Sequence, residues 1–310
     1  MKSKIFLNRD RLKLKGNLHT HTIFSDGKYT VPEVVDIYQR NGYDFIAITD
    51  HRKYYHGPEI VDSMLVLSGI EVSCLYQGED PKKEYSYTHF NVIGQHLPIS
   101  DDQVFYYNEA KDITSILKQF QNENSLIVWN HPLFSRFSEE ESLTFSGYDA
   151  IEVYNHKDTL DETGNPSAFH LIRNLLKNNL FPMVTATNDF HGKLDTQLDD
   201  YYSRAFVEVD VEQKTSSAIL SALKQGQFYA SNGPKIYDFR IENNTFKIET
   251  SPVQHIIFYS HLRHCKNIFK VNRDVVYGEY QLQGNEKYLW VMIVDNNGAC
   301  AWTQPVYIER

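Results

Sequence analysis

The sequence predicts an α/β protein in which a barrel of β/α units over residues 1–234 is followed by a small antiparallel β domain over residues 235–310. Three observations predict it. Short apolar runs alternate with amphipathic helical patterns over the first two thirds of the chain, which implies a parallel sheet with helices outside it. Several of those runs end in His, Asp or Glu, where barrels gather catalytic groups. From about Lys235 the texture becomes an apolar/polar alternation broken by Asn- and Gly-containing turns, the pattern of antiparallel strands.

The first apolar run, Leu18 to Thr22 within GNLHTHTIFSDG, is read as a strand, so that His19 and His21 project from one face. TVPEVVDIYQRNG predicts a helix over 31–41, with Thr30 as cap, Pro32 in the first turn and Gly42 as the stop. YDFIAITDH, MLVLSGIEVS and THFNVIG follow as strands. An amphipathic helix is expected from Asp112 to Asn124, then SLIVWNHP as a strand with a polar end. AIEVYN, a helix near 167–179 and FPMVTATNDFH complete the series. RAFVEVD and the helical SSAILSALKQG lead to FYASNGP, a turn read as the exit from the barrel. KIYDFRIENNTFKIET, HIIFYSH, KYLWVMIVDNN and PVYIE then suit a sandwich or half barrel.

At 310 residues, 41% hydrophobic and 14% aromatic, the chain can bury a substantial core. It contains no apolar run long enough to span a membrane, and the N-terminal segment lacks the pattern of an export signal. Cys74, Cys265 and Cys300 lie far apart and match no CxxC pattern, which argues against a disulfide framework or a cysteine zinc site and for a cytoplasmic setting. The net charge of −9 disfavours a strong nonspecific grip on a polynucleotide, because that grip comes from Lys and Arg displacing counterions. A small phosphorylated substrate remains compatible with it, since bound metal ions would supply positive charge locally.

The chemistry-bearing residues arrive in chain order. His19 and His21 form an HxH pair, Asp26 sits in the loop SDG, and His51 follows Asp50 in ITDH. Glu71 lies in GIEVS after a mostly apolar run, where a buried carboxylate must be paired or metal bound to offset its desolvation. His89 falls in THFNVIG, His131 in WNHP, and Asp189 and His191 in NDFH. Singly, each has a plainer reading as a turn residue or a packed histidine. Together they place six histidines, two aspartates and one glutamate at one or two per β/α unit, a donor set suited to Zn, Fe or Mn.

HTHTIFSDG, ITDH, GIEVS, THFNVIG, WNHP and NDFH, in that order, resemble the successive motifs of the PHP (polymerase and histidinol phosphatase) family. The resemblance runs from about residue 16 to residue 191. It implies a distorted (β/α)7 TIM-like barrel and a centre of two or three divalent metal ions that cleaves phosphoesters. By motif, His19, His21, Glu71 and Asp189 would hold one ion. Glu71 would bridge to a second ion on His89 and His131, and Asp26, His51 and His191 would hold a third. The segment from RAFVEVD through SNGP and the β tail resemble a subgroup of metal-dependent phosphoesterases with a small β domain after the barrel.

The implied reaction is attack on phosphorus by a metal-bridging hydroxide. Glu71 would sit at its centre, with Asp50 or a histidine protonating the leaving group. Arg136, five residues after His131, is a candidate phosphate clamp, because a guanidinium fork matches phosphate oxygens. Lys53, His56, Asn155, His156 and Arg204 are further candidates for substrate contact, whereas His255, His261 and His264 read as surface residues. The expected substrate is a small phosphorylated molecule of nucleotide or sugar phosphate type. An ester or amide hydrolase on the same barrel and a noncatalytic binding module are the alternatives.

Overall fold

The computed structural model describes residues 3–81, 86–157, 167–192, 204–262, 266–271 and 273–308; His264 and Cys265 lie outside them. The N-terminal part runs β1 (Lys4–Leu7), β2 (Leu12–Asn17), α1 (Val31–Arg40), β3 (Phe45–Ile48), β4 (Ile60–Val61), β5 (Met64–Tyr76), β6 (Tyr87–Gly94), β7 (Val104–Tyr107), α2 (Ile113–Leu117), β8 (Ser125–Trp129), α3 (Glu139–Ser142), β9 (Ala150–Asn155), α4 (Phe169–Lys177), β10 (Met183–Thr187), β11 (Phe206–Val211), α5 (Ser216–Lys224) and β12 (Phe228–Ser231). Then come β13 (Ile236–Glu242), β14 (Thr245–Val253), β15 (His255–Tyr259), β16 (Lys266–Ile268), β17 (Val275–Gln281), β18 (Tyr288–Val294), β19 (Cys300–Trp302) and β20 (Val306–Tyr307).

The local signals act as their chemistry requires. Glu33 accepts from the Thr30 backbone at 2.8 Å and from its hydroxyl at 2.7 Å, closing the start of α1. Gly42 takes a φ of +71° just past its end. The helix expected over 112–124 is shorter: α2 spans Ile113–Leu117. Beyond it the Asn122 side chain accepts from the Asn124 backbone at 2.8 Å, a local bond that competes with helix. The strand expected over Leu18–Thr22 is displaced as well, because β2 ends at Asn17. The Asn17 amide donates to the His19 carbonyl and to Thr20 Oγ1, both at 2.7 Å, so the two histidines lie just past the strand end.

The large sheet has the order β10-β9-β8-β6-β5-β3-β2-β11-β12-β19-β18-β15-β16. The pairs β2/β3, β3/β5, β8/β9 and β9/β10 are parallel, but β6 is antiparallel to both β5 and β8. The all-parallel array is therefore corrected to a mixed sheet. The link from Tyr76 to Tyr87 is too short for a helical crossover, and it carries Gly78 and Pro81, which favour a turn. Two antiparallel steps restore direction, so β2, β3, β5, β8, β9 and β10 all run one way.

No ladder joins β10 to β11 or β12 among the described residues, so strand pairing does not complete the (β/α)7 TIM-like closure expected from the sequence. Gln304 stands at that seam. Its side-chain oxygen accepts from Val184 N at 2.7 Å, and its amide donates to the carbonyls of Val184 at 3.1 Å and Phe228 at 3.2 Å. One side chain thus does for β10 and β12 what a neighbouring strand would do.

The C-terminal strands are antiparallel, as expected, and β19 pairs with β12, so the large sheet continues into them. A second sheet, β1-β13-β14-β17, recruits the N-terminal strand Lys4–Leu7, which the sequence pattern does not reveal. One apolar cluster joins Trp129, Ile151 and Val184 of β8 to β10 with Trp290 and Trp302 of β18 and β19, all nearly excluded from solvent. No helix among the described residues is long and apolar enough to cross a membrane.

Replacing Gln304 by Ala strands one buried N–H and two carbonyls. We expect a loss of about 2 kcal/mol in urea unfolding, and a stability equal to wild type would show that water satisfies the seam.

Candidate metal centre

The topology explains where each donor sits. His19 and His21 follow β2, Asp50 and His51 follow β3, His131 follows β8, and Asp189 and His191 follow β10. These are C-terminal ends of like-directed strands. Because β6 runs the other way, the same edge of the sheet meets its beginning, and His89 is its third residue. Glu71 lies in mid-strand because β5 continues beyond the edge into the link to β6, and the chain after β3 pairs back onto it through a His51–Glu71 bridge. His131 and Asp189 adopt positive φ values of 24° and 48°, backbone strain of the kind found where side chains must be aimed.

Every donor expected from the sequence is within reach of Glu71, Asp189 or Asp26. His19 Nε2 lies 3.3 Å from Glu71 Oε1 and 3.2 Å from Asp189 Oδ1. His21 Nε2 lies 3.3 Å from Glu71 Oε2 and 3.2 Å from Asp189 Oδ1. His51 Nδ1 approaches Glu71 Oε2 at 2.7 Å, and His89 Nδ1 and His131 Nε2 approach Oε1 at 3.1 and 3.3 Å. On the outer side, His191 Nε2 is 3.3 Å and His51 Nε2 3.9 Å from Asp26 Oδ1.

Four groups have donor atoms all within 4.8 Å of one another: His21/Asp26/His51/His191, His19/His131/Asp189, His19/His21/Glu71 and His51/Glu71/His89. His51 therefore reaches both Asp26 and Glu71, a sharing that its sequence position does not reveal.

The donor set passes a test of fit. Nε2 of His19 and of His21, Nδ1 of His89, Oε2 of Glu71 and Oδ1 of Asp189 are buried and, although they crowd one another and neighbouring imidazoles, make no well-directed hydrogen bond. Such atoms are costly to bury bare, and imidazole with carboxylate oxygen is the chemistry of a divalent-ion site. The surrounding shell sets their orientation. Glu152 accepts from His19 Nδ1 at 2.8 Å, which turns Nε2 inward, and from the His131 backbone at 2.6 Å, Asn155 Nδ2 at 2.8 Å and Thr187 Oγ1 at 2.6 Å. Asn130 donates to Glu71 Oε1 at 2.8 Å, and His191 Nδ1 bonds the Asp189 carbonyl at 2.8 Å.

The electrostatics follow from crowding five imidazoles around one carboxylate. Burial would raise the Glu71 pKa, but His51, His89 and His19 hold it well below the usual carboxylate range. Asp189 is lowered in the same way, burial being outweighed by His19 and His191, and His191 and its neighbours lower Asp26. Burial opposes charge on His19 and His131, yet the carboxylates raise His19 well above 6.5 and His131 to about 9. His21 is pushed well below 6.5 by burial and by His191.

Asp50 accepts from Thr22 N at 2.7 Å, Thr22 Oγ1 at 2.7 Å and Ser25 Oγ at 2.6 Å. Both its oxygens thus hold the loop that carries Asp26. Arg136 is exposed and does not line the cavity over the donors, a space of about 100 Å³ whose cation is Lys157 and whose aromatic wall is Tyr87 and Phe134. Lys53 pairs with Asp102 at 2.6 Å. Asn155 bonds Glu152 and, at 3.3 Å, Asp189. His156 contacts the Tyr154 hydroxyl at 3.0 Å, and burial, with Arg204 nearby, lowers its pKa to about 4.

Arg204 is itself exposed, and His56 packs edge-on against Tyr54. His255 and His261 are partly exposed, bonding Asn267 Oδ1 and the Lys287 backbone. Sequence reasoning missed Glu152, although AIEVYN carries the same signal as GIEVS, a carboxylate inside an apolar run.

The PHP domain family matches residues 17–229. A two-domain protein containing a predicted PHP-like metal-dependent phosphoesterase from Bacteroides vulgatus shares the fold, with a TM-score of 0.51 and 18% identity over 99% of this chain and 98% of that one. PsfC from Pseudomonas syringae is 12% identical, covering 68% of this chain and 87% of its own, at a TM-score of 0.43. A stretch of 42 residues is 40% identical to the DNA polymerase/3'-5' exonuclease PolX of Bacillus subtilis, spanning 14% of this chain and 7% of that protein's length.

Metal ligation requires neutral imidazoles, whereas the surrounding carboxylates shift His19 and His131 toward their protonated forms in the metal-free chain. Adding Mn or Zn at pH 7 in weak buffer should therefore release protons. A pKa raised above 6.5 stabilises the fold below 6.5 and loses that contribution as pH rises through the folded value. The melting temperature of the metal-free chain should fall from pH 6.5 to about 9, in step with His131. Flat melting temperatures and no proton release would contradict the site.

Proposed function

The chain belongs to the PHP domain family, and on that premise we propose that it is a metal-dependent phosphoesterase acting on a small phosphorylated substrate. The observation that carries the reading is the convergence of buried, unpartnered imidazole and carboxylate atoms on Glu71 and Asp189. His19, His21, Glu71 and Asp189 would hold one divalent ion, and Glu71 would be shared with a second on His89 and His131. Asp26, His51 and His191 would hold a third. Zn, Fe and Mn all suit these donors.

Bound ions would supply Lewis acidity, acidifying a water and neutralising phosphate oxygens. The chain's own residues do the rest. Glu152 keeps the His19 Nε2 lone pair turned inward, and Asp50 fixes the 22–25 loop so that Asp26 faces His191. Lys157, at the cavity wall, offers a cation to a phosphoryl oxygen. A space of about 100 Å³ over the donors has room for a phosphoryl group. Hydrolysis then breaks the bond from phosphorus to the leaving oxygen, joins a water oxygen to phosphorus and sends a proton to the leaving group. The net charge of −9 favours small substrates over polynucleotides, in keeping with a cytoplasmic metabolite.

The test is a panel of nucleotides, sugar phosphates, aryl phosphates and carboxyl esters offered to the metal-reconstituted protein, with phosphate and acid release measured separately. Phosphate release from at least one class is expected. Ester cleavage without any phosphate release would replace the reading by a carboxyl-ester hydrolase.

A further inference from the structure

A hollow of about 350 Å³ neighbours the centre along the chain, since Asp50 on its wall directly precedes His51. Its wall includes Phe24, which lies two residues before Asp26 on the loop that Asp50 holds. Phe24 is 61% exposed and stacks on no other ring among the described residues. The hollow's other aromatic walls are fixed. The Tyr54 hydroxyl donates to the Gly94 carbonyl at 2.7 Å, its ring meets His56 edge-on with centroids 4.7 Å apart, and Tyr55 is nearly buried. An unstacked phenyl beside anchored rings, next to a centre for phosphoryl chemistry, is a place for a planar ring.

Charge narrows the choice. Asp50 and Asp101 line the same hollow, and its cation, Lys53, is committed to Asp102 at 2.6 Å and Asp101 at 3.9 Å. With two carboxylates on its wall against one lysine that also serves Asp102, the hollow disfavours a second anionic group on the substrate.

We propose that this hollow is the leaving-group subsite, that it takes an uncharged planar ring, and that Phe24 is a specificity-determining residue; the proposal rests on the phosphoesterase reading. Phe24 closes on the ring while the phosphoryl group occupies the small cavity.

The probes are benzyl and cyclohexylmethyl phosphate, whose leaving groups differ chiefly in planarity, and the two matching nonhydrolysable phosphonates. Affinities of the metal-loaded protein for the phosphonates are measured by calorimetry, alongside kcat/KM for the phosphates. Wild type should favour the benzyl compounds by about five- to tenfold, Phe24→Tyr should keep that ratio, and Phe24→Ala and Phe24→Leu should bring it close to one. Because Phe24 is exposed, these variants should fold. Equal affinity of wild type for the two phosphonates, binding of neither, or a ratio that survives Phe24→Ala would overturn the subsite. Hydrolysis of neither phosphate, with the phosphonates still discriminated, would overturn the phosphoesterase reading and leave the ring site standing.

Discussion

Glu71 is fully buried in β5 between Ile70 and Val72, and an ionised carboxylate there costs several kcal/mol unless positive charge or donors surround it. The edge of the sheet is organised to supply them. His19 and His21 come from the end of β2, His51 from β3, His89 from β6 and His131 from β8, while Asn130 gives the one hydrogen bond from an amide side chain. Without an ion, His19, His51 and His131 are shifted toward their protonated forms beside the carboxylates, whereas burial keeps His21 and His89 shifted toward neutral. With ions bound, the same lone pairs turn to the metals, and the charge balance of the core passes from protons to cations.

That exchange depends on the frame. Donors from six strands meet because β6 runs against its neighbours and offers its beginning at the edge where the others offer their ends. β10, which presents Asp189 and His191, gains no strand partner on its outer side from β11 or β12, so Gln304 and the packing of Trp290 and Trp302 hold it instead. The C-terminal strands are thus part of the support of the centre. Glu152 has the corresponding role inside the sheet, bonding at once to His19 after β2, the His131 backbone after β8, Asn155 of its own strand and Thr187 of β10.

The donors were legible in the sequence because each lies close to an apolar run that forms a strand, and the order of motifs carries the family resemblance. The reversal of β6 was harder to read, since an apolar run says nothing of its direction and only the short Tyr76–Tyr87 link bears on it. The pairing of Lys4–Leu7 with β13 spans about three quarters of the chain and leaves no local trace. Arg136 was chosen by residue type and nearness to His131, yet a left-handed backbone with φ of 55° and an exposed position set it apart from the cavity, where Lys157 stands. Asp50 was chosen by adjacency, and the hydroxyls that occupy it belong to a loop whose path only the fold determines.

The claim at the centre is that one buried carboxylate is shared between two ions, and metal content per chain measured on Glu71→Gln tests it most directly. The isosteric amide keeps the packing and removes the charge. The account predicts that more than one equivalent of metal is lost together relative to wild type, in a protein that remains folded. Unchanged metal content, or loss of a single equivalent only, would contradict the shared role of Glu71.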